Sequence, residues 1–478
     1  MTGKMTKNEK ILQWVFVVLA FAIMLVWVLV PRKFSGPDEP MRYKVVQYLV
    51  EHPGKLPHGT DEAVRDEIWG ISYAFFPILS YMVSAVFAAI AGCFTGNWVI
   101  ILKAARMADV LFITLMAYVV IRIACRLFEG EKRWLFSAMV VFLPEVLFMG
   151  TYVNTDSLAL LASAVIILAW VRYLDEGWTW KNCMLLAVGM GVCLLSYYNA
   201  YGWVLWSFFF FVATCLLCSS APLKERWKFM MSRGMGIAGV TLGIAGWWFV
   251  RNMIIYDGDI LARKACNACG EKYAWEAYKP SVHPTPASSG WNILDLFIYQ
   301  DPGWPHNWIS MVLVSFIGTF GFFHIFMNET VSKIYLLFLG VGFVGMLLTL
   351  RSFYWKKQEV NVVLAGEGKS MVRIKTIRTR REWSKKGIFH LAMLAGMITP
   401  VVLLIEYAFY SDNQAQGRYM LSAVFPIMYF VTMGYDCLLK RFVKNEKLHR
   451  WFYITAAGAW VLGAVLNLLL IIVPVYTK

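Results

Sequence analysis

The chain consists of long apolar runs separated by short polar segments. Residues 11–30 form twenty consecutive positions without a charge, about the length that an α-helix needs to cross the ~30 Å hydrocarbon core of a bilayer. Lysines precede this run, as in a secretory signal, but no small-residue cleavage site follows it, so we expect a retained first span. The pattern predicts an all-α polytopic membrane protein, with a single transmembrane domain over 1–478 and about eleven transmembrane helices. The predicted spans are 11–30, 105–128, 134–153, 158–174, 183–199, 203–219, 235–255, 331–350, 388–408, 420–438 and 451–475.

Charged residues are few and unevenly placed. They make up 16% of the chain, whereas a soluble protein of this size carries roughly a quarter. The net charge of +15 is concentrated in short loops and in segment 351–386, which has eleven Lys or Arg against three acids. Because cations are retained on the cytoplasmic side, we interpret 351–386 as a basic cytoplasmic linker and place the N-terminus on the same side. The same distribution argues against nucleic acid as a partner.

Two further apolar segments, 71–93 and 309–326, are predicted not to cross the membrane. Counting only one of them as a span would move some basic loops outside, so we expect both to be juxtamembrane helices at the outer interface. This topology puts two long segments outside. They are 31–104, the first outer loop with an acidic motif, and 256–330, the second large outer loop. The short loop 409–419 lies on the same face.

A pair of acids follows the first span. Asp38 and Glu39 are bracketed by Pro37 and Pro40, and a proline on either side restricts where the two carboxylates point. Adjacent acids repel each other, which raises the pKa of one of them and suits a general base. The alternative is that these acids cap the helix beginning near Met41.

Asp156 is the second acid of interest, in the polar turn Asn154-Thr155-Asp156-Ser157 between two predicted spans. The predicted topology puts this turn on the same outer face as Asp38. The alternative interpretation is again local, because all four residue types of the turn are good N-caps for the helix that follows.

Three cations are predicted on the same face. Arg251 lies at the end of the seventh span, Lys264 follows shortly after it, and Arg418 lies beside Tyr419 at the start of the tenth span. A planar guanidinium offers parallel donors to a phosphate. The alternative is that these side chains reach the interface and contact the headgroups of membrane lipids.

Acids within the spans need partners, because burying a charge there costs at least ~2.5–3.5 kcal/mol. Arg106 precedes Asp109 by about one helical turn and is expected to pair with it. Glu145, directly after Pro144, is expected to be neutral or bound across helices.

A Cys-x-x-Cys sequence lies in the second outer loop, at Cys266 and Cys269. In an exported loop this spacing favours a disulfide over half of a zinc site, because no second pair of ligands lies nearby. We therefore expect a disulfide, with zinc as the weaker alternative.

Five short motifs share the outer face in the predicted topology. They are Pro37-Asp38-Glu39-Pro40, Asn154-Thr155-Asp156, Trp247-Trp248-Phe249-Val250-Arg251-Asn252, Gly318-Thr319-Phe320-Gly321 and Gln416-Gly417-Arg418-Tyr419. As an ordered set they resemble the GT-C class of membrane glycosyltransferases, in particular its bacterial, polyprenyl-phosphate-sugar-dependent and protein-mannosyltransferase-like members. Many relatives carry a histidine shortly after the acid pair, in the region where this chain has Arg42.

The resemblance implies a GT-C fold and a glycosyltransferase of the cell envelope, working on the extracytoplasmic face of the cell membrane. The implied donor is a polyprenyl-phosphate-linked sugar, and the implied acceptor is a hydroxyl of a glycan, lipid or protein. Asp38 carries over as the general base of an inverting transfer, with Glu39 as its neighbour and Asp156 as the second acid. The donor phosphate would be bound by Arg418, Arg251 and Lys264.

Several points stay open at this stage. Arg42, Asn154 and Tyr419 belong to the same implied site, which requires no cofactor, but Asp38 and Asp156 have the oxygen ligands to share a divalent cation such as Mg²⁺ or Mn²⁺. One alternative function is a polymerase or ligase of lipid-diphosphate-linked glycans, which favours outer arginines over an acid pair. Another is a flippase or transporter of lipid-linked saccharides, which needs charges along a pathway to both faces.

Overall fold

The structure is a computed structural model that describes residues 6–31, 33–364, 371–380 and 384–477, without the side chains of 349–380. Within these ranges nine helices are long and apolar enough to cross a membrane. The strands found there form two antiparallel pairs and no larger sheet. The prediction of an all-α polytopic membrane protein is therefore confirmed.

The first half of the chain contains nine helices. Three of them begin at a side-chain cap, in which Thr6, Asn97 or Thr179 accepts a hydrogen bond from a backbone N–H of the first turn. The helices are α1 (Lys7–Leu29), α2 (Glu39–Glu51), α3 (Leu79–Gly92), α4 (Trp98–Leu127), α5 (Lys132–Val141), α6 (Pro144–Met149), α7 (Asp156–Glu176), α8 (Trp180–Leu194) and α9 (Tyr201–Leu217).

The second half contains nine more helices and both strand pairs. A 3₁₀ turn over Gly417–Ala423 leads directly into α16, and a π-turn over Leu468–Ile472 joins α17 to α18. The elements are α10 (Leu223–Ile255), α11 (Arg263–Tyr273), α12 (Ile293–Ile298), α13 (Trp308–Gly318), β1 (Thr319–Phe320), β2 (Ile325–Phe326), α14 (Glu329–Tyr354), β3 (Trp355–Leu364), β4 (Met371–Arg380), α15 (Lys385–Tyr410), α16 (Val424–Phe442), α17 (Glu446–Asn467) and α18 (Val473–Thr477).

Nine of the eleven predicted spans coincide with helices of spanning length, and two do not. The predicted span 134–153 is divided between α5 and α6, because Leu143 is extended and Pro144 starts a new helix. A proline disfavours helical backbone in the residue before it and has no N–H to continue the ladder. The predicted span 183–199 is the 15-residue helix α8 and the turn after it.

The two apolar segments expected at the outer interface form short helices. Segment 71–93 contains α3 with 14 residues, and segment 309–326 contains α13 with 11 residues. At about 1.5 Å per residue neither helix reaches across ~30 Å of hydrocarbon. Their lengths agree with juxtamembrane helices.

The basic segment 351–386 contains regular structure that its interpretation as a linker did not include. Helix α14 continues to Tyr354, and β3 and β4 then form an antiparallel hairpin in which Trp355 pairs with Arg380. These two stretches are rich in valine, isoleucine and threonine, whose branched side chains favour extended backbone. The many basic residues of the segment drew attention away from these strand-forming residues.

The packing of α1, α4, α6 and α7 brings distant parts of the chain to one end of the bundle. Trp27 of α1 packs against Phe148 of α6 and Phe320 of β1, with ring centroids 5.6 and 5.0 Å apart, and α4 packs against both α1 and α7. The start of α2, the third turn of α4, the first turn of α7 and the 3₁₀ turn before α16 therefore meet. We refer to this end of the bundle as the network end.

Candidate functional site

The buried charges of the described part of the chain gather at the network end. They are Glu39, Arg42, Arg106, Asp109, Glu145, Asp156 and Arg418. Asp38 joins them at the edge, with 35% of its side chain exposed. Ion pairs and hydrogen bonds connect most of these groups to one another.

Asp38 occupies the position before α2 in a left-handed backbone conformation, with φ of 59°, and its side chain makes no capping hydrogen bond. Aspartate tolerates this conformation better than most residues do. The carboxylate oxygen Oδ2 instead lies 3.1 Å from Nη2 of Arg418 and 3.9 Å from Nη2 of Arg42. The capping alternative therefore does not describe the contacts of this side chain.

The pKa of Asp38 is shifted in the direction opposite to our expectation. Burial of the carboxylate raises its pKa, but the positive charges of Arg418 and Arg42 outweigh burial and hold the pKa below its ordinary value of 3.8. Repulsion from an adjacent acid was expected to raise it. The neighbouring acid, Glu39, is itself paired with Arg106.

Glu39 is fully buried and its carboxylate is saturated with donors. Arg106 donates from Nε to Oε1 at 2.7 Å and from Nη2 to Oε2 at 2.9 Å. The backbone N–H groups of Ser35 and Val153 donate to the same carboxylate at 2.7 and 3.1 Å. Glu39 thus fastens the segment before α2 to α4 and to the turn before α7.

The expected pair of Arg106 with Asp109 does not form, because the Arg106 side chain reaches across to Glu39. Asp109 instead accepts a hydrogen bond from the hydroxyl of Ser157 in the first turn of α7. Glu145 accepts a hydrogen bond at 2.9 Å from the backbone N–H of Thr319, within the glycine-bounded motif 318–321. Asp109 is therefore bound across helices, and Glu145 is bound to strand β1.

Arg42 lies between the two acids that the sequence singles out. Its Nη1 is 3.5 Å from Oδ2 of Asp156, its Nη2 is 3.9 Å from Oδ2 of Asp38, and its guanidinium lies over the ring of Tyr73 at 4.7 Å. Only 1% of the residue is exposed. Arg42 lies in the first turn of α2 and follows Asp38, the residue before the helix, by four positions, so the start of α2 brings the two groups together.

Asp156 is the first residue of α7 and is buried. Asn154 performs the local role expected of the turn, because its Oδ1 accepts a hydrogen bond at 2.9 Å from the N–H of Ser157. Its Nδ2 donates to the carbonyls of Met149 and Tyr152, both at 2.7 Å. The side chain of Asp156 is therefore available to Arg42 rather than used as a cap.

Arg418 reaches Asp38 from the 3₁₀ turn before α16. The turn approaches α13 closely at Gly417, where an added Cβ would lie 2.3 Å from backbone atoms of Val312 and Phe316. Nη2 of Arg418 also lies 3.4 Å from the hydroxyl of Tyr419. A side chain at residue 417 would displace this turn and the arginine with it.

A chain of polar contacts extends from Arg418 to Asp412 and His283. The hydroxyl of Tyr419 donates to Oε1 of Gln414 at 2.8 Å, and Nε2 of Gln414 donates to Asp412 at 2.5 Å. Asp412 lies 3.6 Å from Nε2 of His283. Sequence reasoning did not identify Tyr73, Gln414 or Asp412, because each is an ordinary polar or aromatic residue in a loop.

A small cavity opens beside the network, with room for about one water molecule. Its polar wall is formed by Asp156, Arg418, Tyr419, Tyr197, Asn199 and Ser422, and the rest is aliphatic. Converging polar groups beside an apolar wall are a feature of small-molecule sites, but this cavity is smaller than the pockets that hold such ligands.

Two predicted site cations lie elsewhere. Arg251 donates from Nη2 to the carbonyl of Pro57 at 2.7 Å and lies over the ring of Trp248 at 5.1 Å. Lys264 is exposed on α11. Within the described part of the chain, neither cation contacts Asp38. On the same helix Cys266 and Cys269 are free thiols, so the expected disulfide is not formed in this structure.

A divalent cation shared by Asp38 and Asp156, which the sequence left open, does not fit the observed contacts. The guanidinium of Arg42 lies between the two acids, 3.9 and 3.5 Å from their Oδ2 atoms. The described part of the chain contains no group of three or more histidine, cysteine, aspartate or glutamate side chains placed to hold a metal. We therefore derive no step through a metal ion.

Comparisons with known proteins give matches in structure alone. No model of a protein family matches the chain, and no curated protein matches it either. The oligosaccharyltransferase AglB from Archaeoglobus fulgidus, in complex with an inhibitory peptide and a dolichol-phosphate, is similar with a TM-score of 0.52 and 13% identity over 99% of this chain and 56% of that chain. ArnT from Cupriavidus metallidurans, bound to undecaprenyl phosphate, gives a TM-score of 0.49 and 13% identity over 97% of this chain and 74% of that chain.

The likeness to AglB is one of fold. This chain spans about half the length of that protein, and an identity this low carries no detail of activity. The chain nevertheless has the fold of the GT-C membrane glycosyltransferases, as the order of its motifs predicted.

Proposed function

We propose that the protein is a glycosyltransferase that moves a sugar from a polyprenyl-phosphate-linked donor to an acceptor hydroxyl on the extracytoplasmic face, with inversion and with Asp38 as general base. The observation that carries the proposal is the ion pair of Asp38 with Arg418 at 3.1 Å, next to a cavity that Arg418 and Asp156 line. A base and a cation for a phosphate leaving group are thus adjacent. AglB, whose fold this chain shares, is seen with a dolichol-phosphate.

The proposed step is a single displacement at the anomeric carbon of the donor. The acceptor oxygen forms a bond to this carbon while the bond to the phosphate oxygen breaks, and the bonding electrons leave with the polyprenyl phosphate. The proton of the acceptor hydroxyl passes to Asp38. The leaving phosphate gains negative charge, which the guanidinium of Arg418 stabilises.

The lowered pKa of Asp38 shapes this role. At neutral pH the carboxylate is ionised and therefore able to accept a hydrogen bond from the acceptor hydroxyl. Because it is a weak base, it takes the proton late, after the acceptor oxygen has begun to bond to carbon and has become more acidic. Glu39, fastened to Arg106, positions Asp38 and does not itself act as a base.

The remaining predicted site residues take supporting roles in this proposal. Asp156 and Tyr419 lie on the wall of the cavity, and Asn154 holds the turn that carries Asp156. We assign the donor phosphate to Arg418. Binding of the same phosphate by Arg251 and Lys264 stays a prediction.

The distribution of charge favours an enzyme over a transport protein. A pathway for lipid-linked saccharides needs polar groups along the bundle to both faces. Among the residues that the structure describes, the buried charges instead gather at the network end. A polymerase or ligase of diphosphate-linked glycans is the second candidate, and donor preference in the assay below separates the two.

The test is a transfer assay in proteoliposomes with radiolabelled polyprenyl-phosphate and polyprenyl-diphosphate sugars. We expect transfer from a monophosphate donor, and we expect Asp38→Asn to lower the rate about 10²–10⁴-fold, the usual contribution of a general base. Glu67→Gln, a change at an exposed acid of the same outer segment, is the matched control and should transfer at the wild-type rate. A correctly folded Asp38→Asn variant with an unchanged rate would show that Asp38 is not the base.

The orientation is part of the proposal. Segment 351–386 is basic, and its hairpin follows the end of α14 that lies away from the motif at 318–321. The positive-inside rule then places the network end outside the cytoplasm. In a background without native cysteines, a membrane-impermeant maleimide should label Glu67→Cys in intact cells and leave Glu359→Cys unlabelled. The reverse pattern would invert the topology.

A further inference from the structure

Arg42 stands in the position where a divalent cation would have to bridge the two acids of the site. Its guanidinium lies 3.5 Å from Asp156 and 3.9 Å from Asp38. We propose that Arg42 is the fixed internal cation of this centre, that it excludes a divalent metal from Asp38 and Asp156, and that the transfer therefore requires no metal ion. Only the metal independence of the transfer rests on the proposed function.

The chemistry of the two cations differs in a way that makes them exclusive. Mg²⁺ needs oxygen ligands at about 2.0–2.1 Å in a nearly octahedral arrangement. A guanidinium contacting the same carboxylate oxygens blocks that approach and adds a like charge at close range. Arginine does not lose its proton in proteins, so the obstacle is permanent.

The surroundings of Arg42 keep it in this position. The side chain is 2% exposed, and the ring of Tyr73 lies 4.7 Å from the guanidinium carbon. This cation–π contact and the lack of solvent around the side chain oppose a swing into water. A surface arginine would yield its carboxylates to a metal ion more readily, because water surrounds its guanidinium.

Asp156 depends on Arg42 alone for its ion pair within the described residues, whereas Asp38 also has Arg418. Removal of the positive charge at residue 42 therefore leaves Asp156 as a buried carboxylate without a cation. A divalent ion is the natural replacement, since Asp38 lies on the other side of the vacated guanidinium. The inference thus predicts that a metal site is created by mutation.

The experiment measures Mn²⁺ binding by electron paramagnetic resonance on the purified full-length protein in detergent micelles. We expect the wild type to show no Mn²⁺ site that depends on Asp156. Arg42→Gln, which keeps a polar side chain but removes the charge, should bind Mn²⁺ at least about tenfold more tightly than the wild type does. Adding Asp156→Asn to Arg42→Gln should abolish the new site.

Arg42→Lys is the matched control, because it keeps a cation and should still exclude Mn²⁺. The inference fails if the wild type binds Mn²⁺ through Asp156, or if a folded Arg42→Gln variant binds no more Mn²⁺ than the wild type does. Thermal unfolding of each variant verifies that it is folded.

The transfer assay separates this inference from the proposed function. Transfer by the wild type should survive treatment with EDTA within about twofold. Transfer that EDTA abolishes and Mn²⁺ restores would refute the inference and leave the glycosyltransferase intact. Absence of transfer from every donor would refute the proposed function, while the binding measurement would still decide the role of Arg42.

Discussion

Two arginine–glutamate pairs at opposite ends of the bundle share the same shortest N–O distance and differ in environment. At the network end, Nε of Arg106 lies 2.7 Å from Oε1 of Glu39, and both side chains are fully buried. At the other end, Nε of Arg450 lies 2.7 Å from Oε1 of Glu131, with the two side chains 68% and 27% exposed. Equal distances here conceal unequal energetic roles.

The difference arises from what happens when one partner is lost. An exposed guanidinium returns to water, so pairs like Arg450 with Glu131 are worth little. A buried guanidinium cannot return to water, so the loss of its carboxylate leaves a buried charge without a partner. The buried pair therefore holds the site in one arrangement, because Glu39 also accepts the backbone N–H groups of Ser35 and Val153.

The largest effect is expected from breaking the buried pair. Glu39→Gln should lower the free energy of unfolding by about 3–5 kcal/mol, because Arg106 keeps its charge without a counter-ion. The measurement is denaturant unfolding in mixed micelles. The double variant Glu39→Gln/Arg106→Gln should recover part of this loss. A Glu39→Gln variant as stable as the wild type would show that burial does not make the Arg106–Glu39 pair more important for stability than the exposed pair.

An intermediate effect is expected from the cations around Asp38. Arg418 and Arg42 hold the pKa of Asp38 below 3.8 against the opposite effect of burial. Protonation of Asp38 should therefore not reduce kcat/KM between pH 8 and 5. Removing one cation in Arg418→Gln raises this pKa and should move the acid limb to higher pH. The profile of an Arg263→Gln control, changed at an exposed arginine of α11, should keep its wild-type shape.

The same shift fixes the sign of a stability effect. A carboxylate with a lowered pKa in the folded state contributes its full stability above the unfolded-state pKa. For Asp38 this contribution is present at neutral pH and is lost as the pH falls below 3.8 through the lower folded-state value. An acid limb of the wild-type rate near neutral pH would contradict this assignment.

The smallest effect is expected at the opposite end. Glu131→Gln should change the free energy of unfolding by only about 0.2–1 kcal/mol, since Arg450 is solvated with or without its partner. The same unfolding assay measures it, and added salt should weaken the effect further. A loss as large as that of Glu39→Gln would remove the contrast between the two ends.

The fold was predictable because a bilayer imposes a simple rule. Apolar runs of about 20 residues and the sidedness of cations are properties of local sequence, and nine predicted spans coincide with long helices. The proline at 144 indicates the break between α5 and α6, but the apolar run around it led to the prediction of one span over 134–153. The pairing of β3 with β4 was not predicted, because the basic residues of this segment dominated its interpretation.

The candidate site was predictable only in part, because Arg251 and Lys264 lie elsewhere and several pairings were not foreseen. Asp38, Asp156 and Arg418 were grouped by sidedness, and the structure brings them together although Asp38 and Arg418 are 380 residues apart. The partner of Arg106 was wrong, because a neighbour at helical spacing was preferred to Glu39, 67 residues away. Pairing across helices depends on packing that no single segment encodes.

The left-handed backbone at Asp38 has a consequence for the proposed transfer. For L-residues this conformation is disfavoured by roughly 1–2 kcal/mol, and here the contacts of Glu39 and the start of α2 stabilise it when the chain folds. If Asp38 is the base that we propose, folding has already set the backbone that carries its carboxylate. Little reorganisation would then remain for the moment of transfer.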